Sequence, residues 1–577
     1  MRSHIILGLM IVFGSFGCET DRDNSRGEGV SASKTCDGDF YVSKDSEISQ
    51  RDVLGCTAIT GDLTVTDMPE IESLSFLRHL ELVGGDFKIS HLPLIQDLEG
   101  LDNLKFIGKR FSLNTNSVLE DTSALRKLES VGGDIIIIGN DKLVEVNGFG
   151  KLVEVEGTIY VDRNKSLIRF TGFKNLQKIS GLHISENLAL EEIEFGALTE
   201  IEGSLIVKEN NKLAYLGGFG SLEEINGNFL LQNNRNMINL EDLKELKSIN
   251  GIVEIVGHPK IQQVGFPALE GRIEGIIVDD NSSMVALDLG DIRSIDKEFR
   301  LYLLPSLVSV ETLGLESIGG KLTINSLPLL IDVRNFSSLN RTGGLEIVQC
   351  RSLRNLNGFV GMKEIVGALE ISDNPNLLQI DGLGEMAGIL TDLTVNNNQS
   401  LESIEALSNI TEISGNLSLV ANAAMTNING LSGTANIGGY IDITDNIALL
   451  NLEGLSGVQG AISGYLRLMG NEALGQINGL AGISSVGEFL QIVENDSLAN
   501  VDGLSGLNTV NLNLEFNDNN LLGSISGLQS LERVGGEFIM VQHINLRQCE
   551  IDMFLENLDV GEMVTAADNN EEDNCRR

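Results

Sequence analysis

Tryptophan is absent from the chain, and tyrosine and proline number only 6 and 7 among 577 residues. The apolar share therefore rests on Leu, Ile and Val, and 64 glycines accompany them. That balance suits many short buried strands joined by tight turns. Histidine is equally scarce: the six, at 4, 79, 91, 183, 258 and 543, form no HExxH or other metal-ligand spacing. No GxSxG elbow occurs, and the GLSG segments at 430, 454 and 503 lack its spacer and belong to a repeated turn. Calcium-binding nonapeptides are missing as well. No metal, cofactor or catalytic residue is expected. Basic residues are few, 41 against 82 acidic, for a formal charge of −41 that reads as spread through the repeats. Such a surface repels nucleic acid and anionic lipid surfaces, so neither is expected as a partner.

A long apolar run occurs once, from Ile5 to Gly17 after the short basic start MRSH. It is too short to cross a bilayer as a helix and matches the apolar region of an export signal. The ending SFGC resembles the lipobox of bacterial lipoproteins, which implies a signal peptide over residues 1–17 and a lipid on Cys18. In that resemblance Gly17 fits, while Ser15 stands where Leu is usual. Residues 18–35, polar and rich in Gly and Ser, read as a flexible tether. The expected location is the bacterial outer membrane or cell surface, with the inner membrane or periplasm as alternatives. Of the other cysteines, Cys36 and Cys56 flank the first repeat, Cys549 and Cys575 bracket the last, and Cys350 stands alone. Spacing makes 36–56 and 549–575 the natural disulfide pairs, stapling end coils that lack one neighbour.

Between residue 61 and the C-terminal region one pattern recurs about 21 times at about 24-residue intervals. In GGDIIIIGNDKLVEVNGFGKLVEV, from Gly132, residues Ile135 to Ile138 have strand periodicity. Asn140 follows, then Leu143, Val146, Phe149, Leu152 and Val155 at intervals of three. An α-helix needs mixed steps of three and four. The strict three argues for short extended pieces bent around corners, with Gly132–Gly133 at a corner requiring positive φ. Stacked coils place equivalent residues about 4.8 Å apart, giving a rod on the order of 100 Å long. The Asn column (Asn116, Asn140, Asn164 and their successors to Asn519) reads as a structural ladder, because an amide donates and accepts at once. His258, His543, Leu304, Leu327 and Cys350 fall in the same column, which makes the histidines corner fillers and Cys350 a buried thiol.

The segments VGGDIIIIGNDKLVEV (131–146), VGALEISDNPNLLQIDGL (366–383) and GGYIDITDNIALLNLEGL (438–455) resemble the receptor L-domain family. These are the β-helical ligand-binding repeats of insulin and EGF receptor ectodomains, also found in fungal cell-wall proteins. The resemblance implies an all-β, right-handed parallel β-helix, with a leucine-rich-repeat horseshoe as the alternative. The repeats here run far longer than a receptor L domain, and the cysteine-rich modules between such domains are missing. The expected division is a cap over 36–60, a solenoid over 61–548, and a C-terminal cap and acidic tail over 549–577, with Ile551, Phe554, Leu555 and Leu558 of an amphipathic helix covering the last coil.

For function, the outward strand column Ile136, Tyr160, His183, Ile206 and Leu230 is the candidate partner-binding stripe. Flanking it are Ile138, Asp162, Ser185, Lys208 and Gln232, which give the stripe a mostly polar edge. The expected activity is non-catalytic recognition or adhesion toward a protein or glycan. A passive envelope spacer is one alternative. A polysaccharide-active enzyme using the neighbouring Glu346 and Glu370 is the other.

Overall fold

The computed structural model describes residues 33–46, 49–312 and 314–570. These residues form a parallel β-solenoid of about 22 turns. Every strand pairing is parallel, and each pairing joins a strand to the equivalent strand of an adjacent coil. In the representative coil Ile135 and Ile137 point inward and are fully buried, while Ile136 and Ile138 are half-buried on the outer face. The same alternation builds one broad sheet running from Phe40–Val42 to Val564–Ala567.

From Leu63–Thr66 to Val564–Ala567, the strand of each coil that carries this alternation is followed by a left-handed corner. The non-glycine residue there has φ between 51° and 62°, as at Arg163, Asp280, Leu303 and Asp568. The side chain that follows is the ladder position. Asn140 is representative: its Oδ1 accepts the Asn116 N–H at 3.0 Å, and its Nδ2 donates to the Leu113 carbonyl at 2.9 Å. One amide thus satisfies a donor and an acceptor of the preceding coil, deep in a region without water. His258 and His543 occupy the column fully buried, as do Leu304, Leu327 and Cys350. Burial pushes the Cys350 thiol up to about 12, which keeps it in the unreactive protonated form.

The three-residue rhythm has a second origin besides bent strands. From Arg334–Phe336 to Ser526–Leu528 each coil carries a 3₁₀ turn on the face away from the broad sheet. A 3₁₀ helix repeats every three residues, so strict spacing by three is its own signature. The expectation of extended pieces alone is corrected for these coils. The expectation that Gly132–Gly133 requires positive φ is also corrected, since neither adopts it. Glycine is needed there for close approach: a Cβ on Gly132 would lie 2.4 Å from the Gly108 carbonyl oxygen.

Both ends continue the coil further than the sequence suggests. Thr35–Cys36 and Phe40–Val42 already pair with the next coil, so the N-terminal cap is itself a turn of the solenoid, closed by the Cys36–Cys56 disulfide. At the other end the helix spans Gln548–Leu555, with Ile551 fully buried and Phe554, Leu555 and Leu558 packed against the core. The chain then returns to the stack. Asp559–Val560 pairs with Arg533–Val534, Val564–Ala567 pairs with Phe538–Val541, and the Asn569 Oδ1 accepts the His543 N–H at 3.2 Å. The solenoid therefore continues past residue 548 at least as far as Asn569. The inserted helix hides the last repeat.

Candidate functional site

Ile136, Tyr160, His183, Ile206 and Leu230 are direct neighbours across five consecutive strands. All five are half-buried on the outer face of the broad sheet. The Tyr160 and His183 rings meet edge to face, with centroids 4.8 Å apart. Burial, and then the nearby Lys208 ammonium, hold the His183 imidazole below its ordinary pKa. It therefore sits neutral in an apolar row. Four strand spacings of about 4.8 Å make the row about 20 Å long. Ser112 precedes it and Glu254 follows it, so its ends are polar.

The edge column is tied down by short polar contacts. Ser185 donates to Asp162 at 2.7 Å, Arg163 pairs with Asp162 at 2.8 Å, and Gln232 donates to Glu254 at 2.5 Å. On the other side of the row lies a second, unexpected ladder. The Asp134 carboxylate accepts the Thr158 N–H, Ser204 Oγ accepts the Asn228 N–H, and Asn228 Oδ1 accepts the Ile252 N–H, at 3.0, 3.1 and 2.9 Å. Polar ladders thus hold the strands at both ends, and the surface between them is rigid. Rigidity lowers the ordering cost of association.

Glu346 and Glu370 are paired across neighbouring strands. Burial works against the Glu346 charge, but Lys321 at 2.5 Å and Asn325 at 3.0 Å hold its carboxyl below the ordinary value. Burial, and then Glu346 itself, push Glu370 up. Among the described residues no group of three or more His, Cys, Asp or Glu could hold a metal ion, and no helix is long and apolar enough to cross a membrane. Cys549 is disulfide-bonded. Cys18 and Cys575 lie outside the described residues.

A second constellation on the same face escaped the sequence reading. Tyr440, Tyr465 and Phe489 stand on consecutive coils with nearly parallel rings, their centroids 4.6 and 4.7 Å apart. Beside them runs the file Asp442, Arg467, Gln491 and Glu515, the same outward column as Ile136. Arg467 reaches Asp442 at 3.3 Å and Gln491 at 2.8 Å, and Gln491 donates to Glu515 at 2.8 Å. The Arg467 guanidinium lies 5.1 and 5.3 Å from the Tyr465 and Phe489 ring centroids. The recurrence of aromatic residues one coil apart was the available signal. The single extra residue between Tyr440 and Tyr465 blurred it.

Comparison with known proteins fits this geometry. The receptor L domain family matches the chain three times, over residues 55–129, 129–218 and 199–294. No curated protein matches. Among solved structures, one titled "Crystal structure of TLR13-ssRNA13 complex" aligns with 87% of this chain and 88% of its own at 14% identity, with a TM-score of 0.18. That score carries no argument about shape or ligand. Residues 55–294 are thus similar to the receptor L domain family, and the same ladder-bearing coil continues from there to Asn569.

Proposed function

We propose that the protein is a non-catalytic recognition protein, anchored at the cell envelope through Cys18, that binds a protein partner on the outer face of its broad sheet. The observation that carries this reading is the apolar row from Ile136 to Leu230, set on a rigid support and edged by polar side chains. A half-buried apolar strip on an outer face, with a polar rim, has the anatomy of a protein contact surface. Similarity to the receptor L domain family over residues 55–294 supports a ligand-binding role.

The test compares the full chain with the double variant Ile136→Asp, Leu230→Asp in capture from envelope extracts. Two carboxylates on half-buried outward positions leave the inward core untouched, so the variant folds. Partners held by the parent chain are lost by at least about tenfold, the scale of one or two contact residues. A folded variant that retains them refutes the site. Detergent-phase partition abolished by Cys18→Ser tests the anchor, and unchanged partition rejects it.

A further inference from the structure

We propose that Tyr440, Tyr465 and Phe489, with Arg467, Gln491 and Glu515 beside them, form a binding site for a neutral saccharide. The site is separate from the apolar row and lies about ten coils along the same face, so either can fail without the other.

The aromatic file has one open end. Beyond Phe489 the next residue in the file is Asn513, whose Oδ1 accepts the Glu537 N–H at 3.0 Å. Its side chain is committed to the following coil, and no further ring stacks on Phe489 among the described residues. At the other end Asn416 is turned back onto the file, its Oδ1 accepting the Tyr440 N–H at 3.1 Å. The uncovered face of Phe489 therefore points along the rod over a small polar residue. A sugar ring presents an apolar C–H face that packs on such a ring.

A sugar also carries hydroxyl groups that donate and accept together, and the neighbouring file supplies both kinds of partner. Arg467 uses Nε on Gln491 and Nη1 on Asp442, which leaves Nη2 free to donate. Glu515 accepts from Gln491 through one oxygen, and a carboxylate has capacity for more. Tyr465 Oη donates to Asp442 at 3.2 Å and fixes the start of the chain. Side chains held by one another before a ligand arrives lose little freedom when it binds.

Charge selects among ligands. Net charge is not evenly spread along the chain, because cations thin out in these coils. Between Lys363 and Arg533 there are 20 acidic residues and a single cation, Arg467. An anionic ligand is repelled by that field, and a cationic one meets Arg467 at the site itself. Aromatic faces, mixed donors and acceptors, and a surround that opposes anions favour an uncharged, hydroxyl-rich ligand. The step of 4.6 to 4.7 Å between rings repeats along the rod axis, so an extended chain can meet successive coils.

The test titrates the full chain calorimetrically with neutral hexasaccharides of glucose, mannose and N-acetylglucosamine, and with hexagalacturonate as the anionic comparator. Tyrosine emission gives a second readout, since the chain contains no tryptophan. At least one neutral hexasaccharide binds with a Kd of about 1 mM or tighter. Phe489→Ala and Glu515→Gln each weaken it by about tenfold, and Ile136→Asp with Leu230→Asp leaves it unchanged. Glu515→Gln is a surface change that keeps the test valid if Phe489→Ala does not fold. Absence of binding across the neutral panel overturns the proposal. So does binding that Glu515→Gln and a folded Phe489→Ala leave intact, or a preference for hexagalacturonate.

Discussion

Asn446 shows how much one side chain carries in this architecture. Its Oδ1 accepts from the Asn422 N–H and Nδ2 at 3.1 and 3.2 Å, and its own Nδ2 donates to the Leu419 carbonyl at 2.7 Å. All of this happens with Asn446 fully buried. Asn446→Ala leaves at least two backbone groups without partners, at roughly 1–3 kcal/mol each. The expected loss is about 2–4 kcal/mol locally, read as exchange of the Asn422 amide accelerated by at least about thirtyfold. Unchanged exchange would make the ladder decorative. The column was legible in the sequence because an amide fills most of it. The corner residue just before it was not, because Arg163, Asp280, Leu303 and Gln349 share no chemistry, only a φ above 50°. That conformation is imposed by the stacked coils, against the intrinsic preference of these residues.

At the scale of the element, the glycine in the repeated Gly-Leu pair takes its meaning from the neighbouring coil. A Cβ on Gly382, Gly454 or Gly503 would lie 1.8 to 1.9 Å from the carbonyl oxygen of the preceding coil. The 3₁₀ turns nest that closely, and no local rule predicts it. The aromatic file of three strands is a second inter-coil property, and it has a pH signature. Burial first, then the Asp442 carboxylate, push the Tyr465 phenol from 10.0 up to about 12. The folded state keeps this proton while an unfolded chain loses it near 10, so the contribution of Tyr465 to stability is full below pH 10 and falls as pH rises toward 12. Absorbance titration of the phenols is expected to show one group with a midpoint near 12, moved down toward 10 by Asp442→Asn. A midpoint unmoved by that substitution would remove Asp442 from contact with the ring.

For the molecule as a whole, repetition made the solenoid legible and concealed its ends. The helix Gln548–Leu555 interrupts the count, and only the strand Val564–Ala567 and Asn569 reveal that one more coil follows. The apolar row could be read from the sequence because five like residues recur at near-constant spacing. The aromatic site was missed because one extra residue breaks the spacing of its rings, and the polar file beside them changes chemistry from coil to coil and gains meaning only in register. Both lie on the outer face of one sheet that every coil contributes to. The central claim is that this face, and not the other sides of the same coils, receives the partner. Hydroxyl-radical footprinting of the full chain, with and without a captured partner, tests it most directly. The account predicts protection of Ile136, Tyr160, His183, Ile206 and Leu230, with Glu145, Arg169 and Glu192 on the separate small sheet of the same coils unchanged. Protection confined to that small sheet, with the broad sheet as reactive as in the free chain, would contradict it.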